Sequence, residues 1–193
     1  TGLRQPWQMV FAKGQSSPIV TDLGQDKPKG TKAPDLIVKA TPGSDFGFPN
    51  CTWANARTCR KFDLPILILG PQPESPSPMG IAAKGKKLFV AMFGGLKTTG
   101  PEVITTNVRG TVIRDFLTGF VAPVLSTAVH KGFVYAGDFT GDRVYRIVEK
   151  NGGRNQDRTR IAALRDVLSC LARRAPYASS RRRPSAGRRR QIP

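Results

Sequence analysis

The sequence predicts an all-β chain made of a repeated four-stranded unit, and three observations predict it. Residues 77–95, "SPMGIAAKGKKLFVAMFGG", and 122–141, "APVLSTAVHKGFVYAGDFTG", run in the same order: proline, short apolar strand, Lys-Gly turn, second strand, glycine-bearing loop. Leu88 to Phe93 is apolar at every position, as expected of a strand buried on both faces. Twenty Gly and 16 Pro in 193 residues that are 39% hydrophobic make a composition of turns and short strands, not of long helices.

The first, looser copy opens the chain. Gln5-Pro6-Trp7 precedes the strand "QMVFA", a turn at Gly14 leads to "PIVTDLGQD", and "DLIVKAT" follows. In the second copy, Met79 to Ala83 is a short apolar strand, and at Lys84-Gly85-Lys86 the glycine accepts positive φ without steric cost. Leu88 to Phe93, "PEVITTNV" from Pro101 and "TVIRDFLTGF" complete four strands. The third copy runs Pro123, "VLSTAV", a turn at His130-Lys131-Gly132, "FVYAGDF", the loop "TGD" and "RVYRIV". One such meander cannot bury two apolar faces alone; it needs a sheet on either side. Radial stacking of four-stranded sheets supplies both neighbours, so the units read as blades of a β-propeller, with a β-sandwich as the competing architecture. Closed propellers have four to eight blades. About three are present, and the reading is a fragment of a larger propeller.

The net charge of +18 is unevenly placed. Residues 151–193 hold twelve Arg, no Lys and two Asp, whereas 1–150 mix twelve Lys and seven Arg with eleven acids. The division expected is therefore blades over 1–150 and a basic, low-complexity tail over 151–193. In the tail, Asp157 would cap a helix with Leu164, Val167, Leu168 and Leu171 on one face, and "RRAPYASSRRRPSAGRRR" reads as disordered. Two readings of the tail stay open: a non-native extension that interrupts the propeller pattern, or a phosphate-binding segment for nucleic acid or acidic lipid. No apolar run is long enough to cross a membrane as a helix. The chain starts without Met or an apolar leader, which fits a removed leader or a start inside a longer protein.

Cys51 and Cys59 lie close together in "FPNCTWANARTCRKF", a spacing suited to a local disulfide; a metal site would need further Cys or His nearby. Asn50-Cys51-Thr52 matches the N-glycosylation acceptor pattern. Together they place the protein in a secreted, oxidising setting. Cys170 has no evident partner.

"GLRQPWQMVF", "TDLGQD", "PDLIVKATPGSDFGFPNC", "SPMGIA", "LFVAMFGG", "GPEV", "FLTGF" and "VYAGDFTGDRVYRI" resemble the glucose/sorbosone dehydrogenase family, over roughly 1–150. Within it they are most similar to fungal pyrroloquinoline-quinone-dependent pyranose dehydrogenases. The resemblance implies a parent with six blades that is secreted, binds the quinone and calcium, and oxidises a carbohydrate with an external electron acceptor. A base would take the hydroxyl proton, cations would hold the quinone carboxylates, and calcium would polarise the quinone.

The family's base is a histidine of an earlier blade. His130, the single histidine here, falls in a blade-rim turn and receives no catalytic role. Calcium ligands would be Asp22, Asp26 and Asp35, although relatives carry polar residues where this sequence has Leu36 and Val38. The bland alternative pairs these acids with Lys27, Lys29 or Lys32. Lys97, in "FGGLKTTG", is the candidate cation for the quinone. Asp138 and Asp142 are expected to cap turns. The functional readings are a sugar-dehydrogenase propeller fragment, inactive alone; a non-catalytic NHL-like propeller that binds a ligand or protein; and, least favoured, a nucleic-acid binder acting through its tail.

Overall fold

A computed structural model describes residues 1–24, 33–55, 57–70, 76–95, 100–111, 113–148 and 160–163. Every regular element among them is a β-strand. β1 (Pro6–Val10), β2 (Ile19–Asp22), β3 (Asp35–Lys39) and β4 (Leu67–Leu69) form the first antiparallel sheet. β5 (Pro78–Lys84), β6 (Lys87–Met92), β7 (Glu102–Asn107) and β8 (Ile113–Leu117) form the second. β9 (Val124–His130), β10 (Phe133–Asp138), β11 (Val144–Val148) and β12 (Arg160–Ala163) form the third.

Two strands lie beyond the expected pattern. β4 follows the cysteine loop, and β12 falls within the segment expected to be tail, where it pairs with β11 through Tyr145↔Ala163 and Ile147↔Ile161. Asp157 and the leucine-bearing stretch after it lie outside the described residues.

The turns follow the local chemistry. At the β9–β10 hairpin Lys131 and Gly132 both have positive φ (47° and 80°), as a type I′ turn demands. Gly85 (φ 66°) serves the matching β5–β6 hairpin.

The second sheet is the centre of the molecule, and the two-residue period of its strands decides what each side chain meets. Leu88, Val90 and Met92 of β6, with Ile81 and Ile104, pack against Ile19, Ile37, Leu67 and Leu69 of the first sheet. The alternate residues Phe89 and Ala91, with Val103 and Leu117, pack against Val134, Ala136, Tyr145 and Ile147 of the third. Burying each of the large aliphatic side chains contributes about 1.5–3 kcal/mol. The apolar run Leu88–Met92 of β6 is thereby explained: both of its faces are buried.

Hydroxyls and a glycine fix the spacing between sheets. Thr21 Oγ1 donates to the Met79 carbonyl at 2.7 Å, and Thr127 Oγ1 donates to the Phe89 carbonyl at 3.1 Å. A Cβ on Gly80 would lie 2.6 Å from the Ser126 Cα and the Thr127 nitrogen, so β5 and β9 approach closely only because that position lacks a side chain.

Candidate binding cleft

Asp22 closes β2 and Asp35 opens β3, so antiparallel pairing sets both carboxylates at the same end of the first sheet. Both are buried, and a buried carboxylate needs hydrogen-bond donors. Backbone amides supply them. Gln5 N–H donates to Asp22 Oδ1 at 2.7 Å and Arg4 N–H to Asp22 Oδ2 at 3.2 Å. Gly24 N–H donates to Asp35 Oδ1 at 2.8 Å, and Ser77 N–H to Asp35 Oδ2 at 2.9 Å, tying the first sheet to the entry of the second. Burial pushes the Asp22 carboxyl above its ordinary value; the Arg4 and Gln5 amides pull it back, the Asp35 charge adds to the rise, and the Arg4 charge opposes it.

The Arg4 guanidinium is held over this pair by the Gly24 carbonyl at 2.8 Å and Gln5 Oε1 at 3.0 Å. Opposite it stands the excursion between β3 and β4, folded back on the outer face of the first sheet. Phe46, Cys51, Trp53 and Cys59 cover Val20, Leu36 and Val38 there. Cys51 and Cys59 are disulfide-bonded with Cα atoms 5.4 Å apart, and Trp53 Nε1 donates to the Phe46 carbonyl at 2.7 Å. Between the excursion and Arg4 lies a narrow cleft of about 20 Å³, walled by Phe46, Phe48, Trp53 and Leu36 and edged by Arg4 and Asp22. A space of that size has room for about one water molecule.

The structure brings Asp22 and Asp35 together. Asp26 and Lys97 lie outside the described residues, as do Lys27, Lys29 and Lys32. Among the described residues there is no group of three or more His, Cys, Asp or Glu placed to hold a metal ion, and the third member of the expected calcium set, Asp26, lies outside them. Leu36 and Val38 are core residues beneath the disulfide excursion. Asn50 is exposed in the turn before Cys51. His130 is exposed at one end of β9, and Asp138 pairs with Val124 at the other. Asp138 closes its turn as expected: Oδ1 accepts from Gly141 and Arg143 N–H, each at 3.1 Å, and Oδ2 accepts from the Tyr145 hydroxyl at 3.0 Å. Arg4, Phe46 and Trp53 were not legible as site residues; the apolar positions inside the cysteine loop were the available signal. Glu102, wholly buried where β7 pairs with Met92, was likewise not singled out.

Three face-to-face four-stranded meanders, with the first strands of neighbouring sheets converging, define the class of fold: consecutive blades of a β-propeller. The chain is similar in structure to the PQQ-bound form of the aldose sugar dehydrogenase of Streptomyces coelicolor, with a TM-score of 0.51 and 17% identity. That likeness covers 84% of this chain and 43% of the other, so the chain spans less than half the length of its structural neighbour. No protein-family model matches the sequence, and no curated protein does either.

Proposed function

We propose that this chain forms three blades of a secreted, sugar-dehydrogenase-like propeller that binds pyrroloquinoline quinone and acts on a carbohydrate when its ring is complete. The observation that carries this reading is the likeness of the three-sheet arc to a PQQ-bound aldose sugar dehydrogenase. The family resemblance of 1–150 supports it independently at the level of motifs. Lys97 is the residue proposed to meet the quinone carboxylates, and Asn50 is proposed to carry a glycan.

The chain by itself should not turn over sugar. Its single histidine is exposed at the hairpin end of β9, away from the buried acids, and loss of a general base alone typically costs 10²–10⁴-fold. Equilibrium dialysis against the quinone, with calcium in the buffer, tests the proposal. Retained quinone that Lys97→Ala releases supports it. No retention by the folded chain turns the reading to a non-catalytic propeller. That second reading is favoured by one observation: the described carboxylates of Asp22 and Asp35 hold backbone amides.

A further inference from the structure

Strand polarity sorts charge between the two ends of the sheets. In every sheet the connection between the first two strands lies at one end, and each carries lysine: Lys13 beside Gly14, Lys84, Lys86 and Lys87 about Gly85, and Lys131 before Gly132. β3 finishes at Lys39 on the same side, where it pairs with Ile19, and the β7–β8 turn adds Arg109. The carboxylates of the strand ends lie at the other side: Asp22 closes β2, Asp35 opens β3, Glu102 opens β7 and Asp138 closes β10. No Asp or Glu occurs in 11–18, 84–87, 107–111 or 129–133.

The cations form one surface. Lys13 N–H donates to the Gly85 carbonyl at 3.0 Å and Val108 N–H to the Lys86 carbonyl at 3.3 Å, so three turns of two sheets touch through their backbones. The β9–β10 hairpin stands beside them because β9 packs along β5, with Gly80 against Ser126 and Thr127. Lys13, Lys86, Arg109 and Lys131 are exposed. Cations gathered on one face repel one another, and a bound polyanion relieves that repulsion while releasing its own counterions. β12 runs away from this end, from Arg160 opposite Val148 to Ala163 opposite Tyr145, so the arginines after Ala163 are attached at the far side.

We infer that this hairpin end is a binding face for an acidic polysaccharide, a linear sugar polymer with a carboxylate or sulfate on each repeat. Lysine suits such a partner: a flexible, strongly hydrated point charge meets spaced anions without the bidentate geometry that arginine serves. The Cys51–Cys59 disulfide belongs with oxidising compartments, where the anionic polymers a protein meets are polysaccharides rather than nucleic acids. The face lies at the opposite end of the strands from the buried acids, and the inference is independent of the catalytic reading.

Acetylation of the full chain, read lysine by lysine by mass spectrometry, tests this without interference from the tail, because 151–193 contain no lysine. Polygalacturonate should protect Lys13, Lys86 and Lys131 and leave Lys61, on the disulfide excursion, as reactive as before; neutral dextran should protect none of them. Protection should fade as salt rises, since exposed charges are screened. A chain carrying Lys13→Gln, Lys86→Gln and Lys131→Asn, with Asn chosen because φ there is 47°, should need about tenfold more polymer to half-protect Lys84. Arg57→Gln with Arg60→Gln, in the excursion, should leave that concentration unchanged. Unprotected hairpin lysines, equal protection of Lys61, or stronger protection by double-stranded DNA or phosphatidylserine vesicles at matched charge would each overturn the inference. Should the triple variant fail to fold, the protection pattern of the unaltered chain decides alone.

Discussion

Asp22 shows what a buried carboxylate does to pH dependence. Because burial raises its folded-state pKa above the ordinary 3.8, the folded chain holds the proton more readily than the unfolded chain does. The stability linked to this group is therefore greatest in acid, falls as pH rises from 3.8 through the raised value, and levels off above it. Asp22→Asn should flatten that decline in denaturant midpoints taken from about pH 4 to about pH 7. Asp22→Ala should cost about 1–3 kcal/mol for each amide, Arg4 and Gln5, left without an acceptor. The sequence marked Asp22 and Asp35 as groups with a purpose but offered only metal ions or lysines as partners. Their described partners are main-chain N–H groups, which every residue but proline possesses, so no residue type could advertise them.

Strands with a turn residue and a repeated neighbour were legible, and those lacking both were not. β6 and β10 stand out because their hairpins carry Lys-Gly and their faces are apolar. β4 is three residues long and follows the whole cysteine excursion, so neither period nor turn marks it. β12 is four residues set among arginines, and only its pairing with β11 reveals it. The close approach of β5 and β9 gives a sharp test at this level. Gly80→Ala places a methyl against backbone atoms that cannot swing aside, and should cost about 1–3 kcal/mol or more in urea unfolding. Cys59→Ser should cost about 2–3 kcal/mol by releasing the excursion. It should also shift Trp53 emission to the red as the buried indole meets water.

Charge and fold divide the whole chain at different points. Most of the tail's arginines lie after Ala163, whereas the third sheet uses Arg160–Ala163 as its outer strand. Truncation after Ala163 should therefore abolish most heparin binding and leave the thermal transition unchanged. Truncation after residue 150 should in addition lower the transition, since β11 loses its outer partner. Equal stability of the two truncations would show that β12 contributes nothing. The cleft escaped the sequence for a related reason: it exists only because a loop returns across a sheet face, a long-range arrangement that local pattern does not encode.

Every strand in the three sheets is hydrogen-bonded only to strands adjacent to it in sequence. Such a chain can zip from one hairpin to the next as it leaves the ribosome, without waiting for distant segments. The first sheet is the exception, because β3 meets β4 only after residues 40–66 have been made and looped back. Loop-closure entropy therefore delays the earliest-synthesised sheet, and the second, with its two-residue hairpin, should gain amide-exchange protection before it. Oxidation of Cys51 and Cys59 shortens the free length of that loop, which makes the redox state during synthesis a control on the order of assembly.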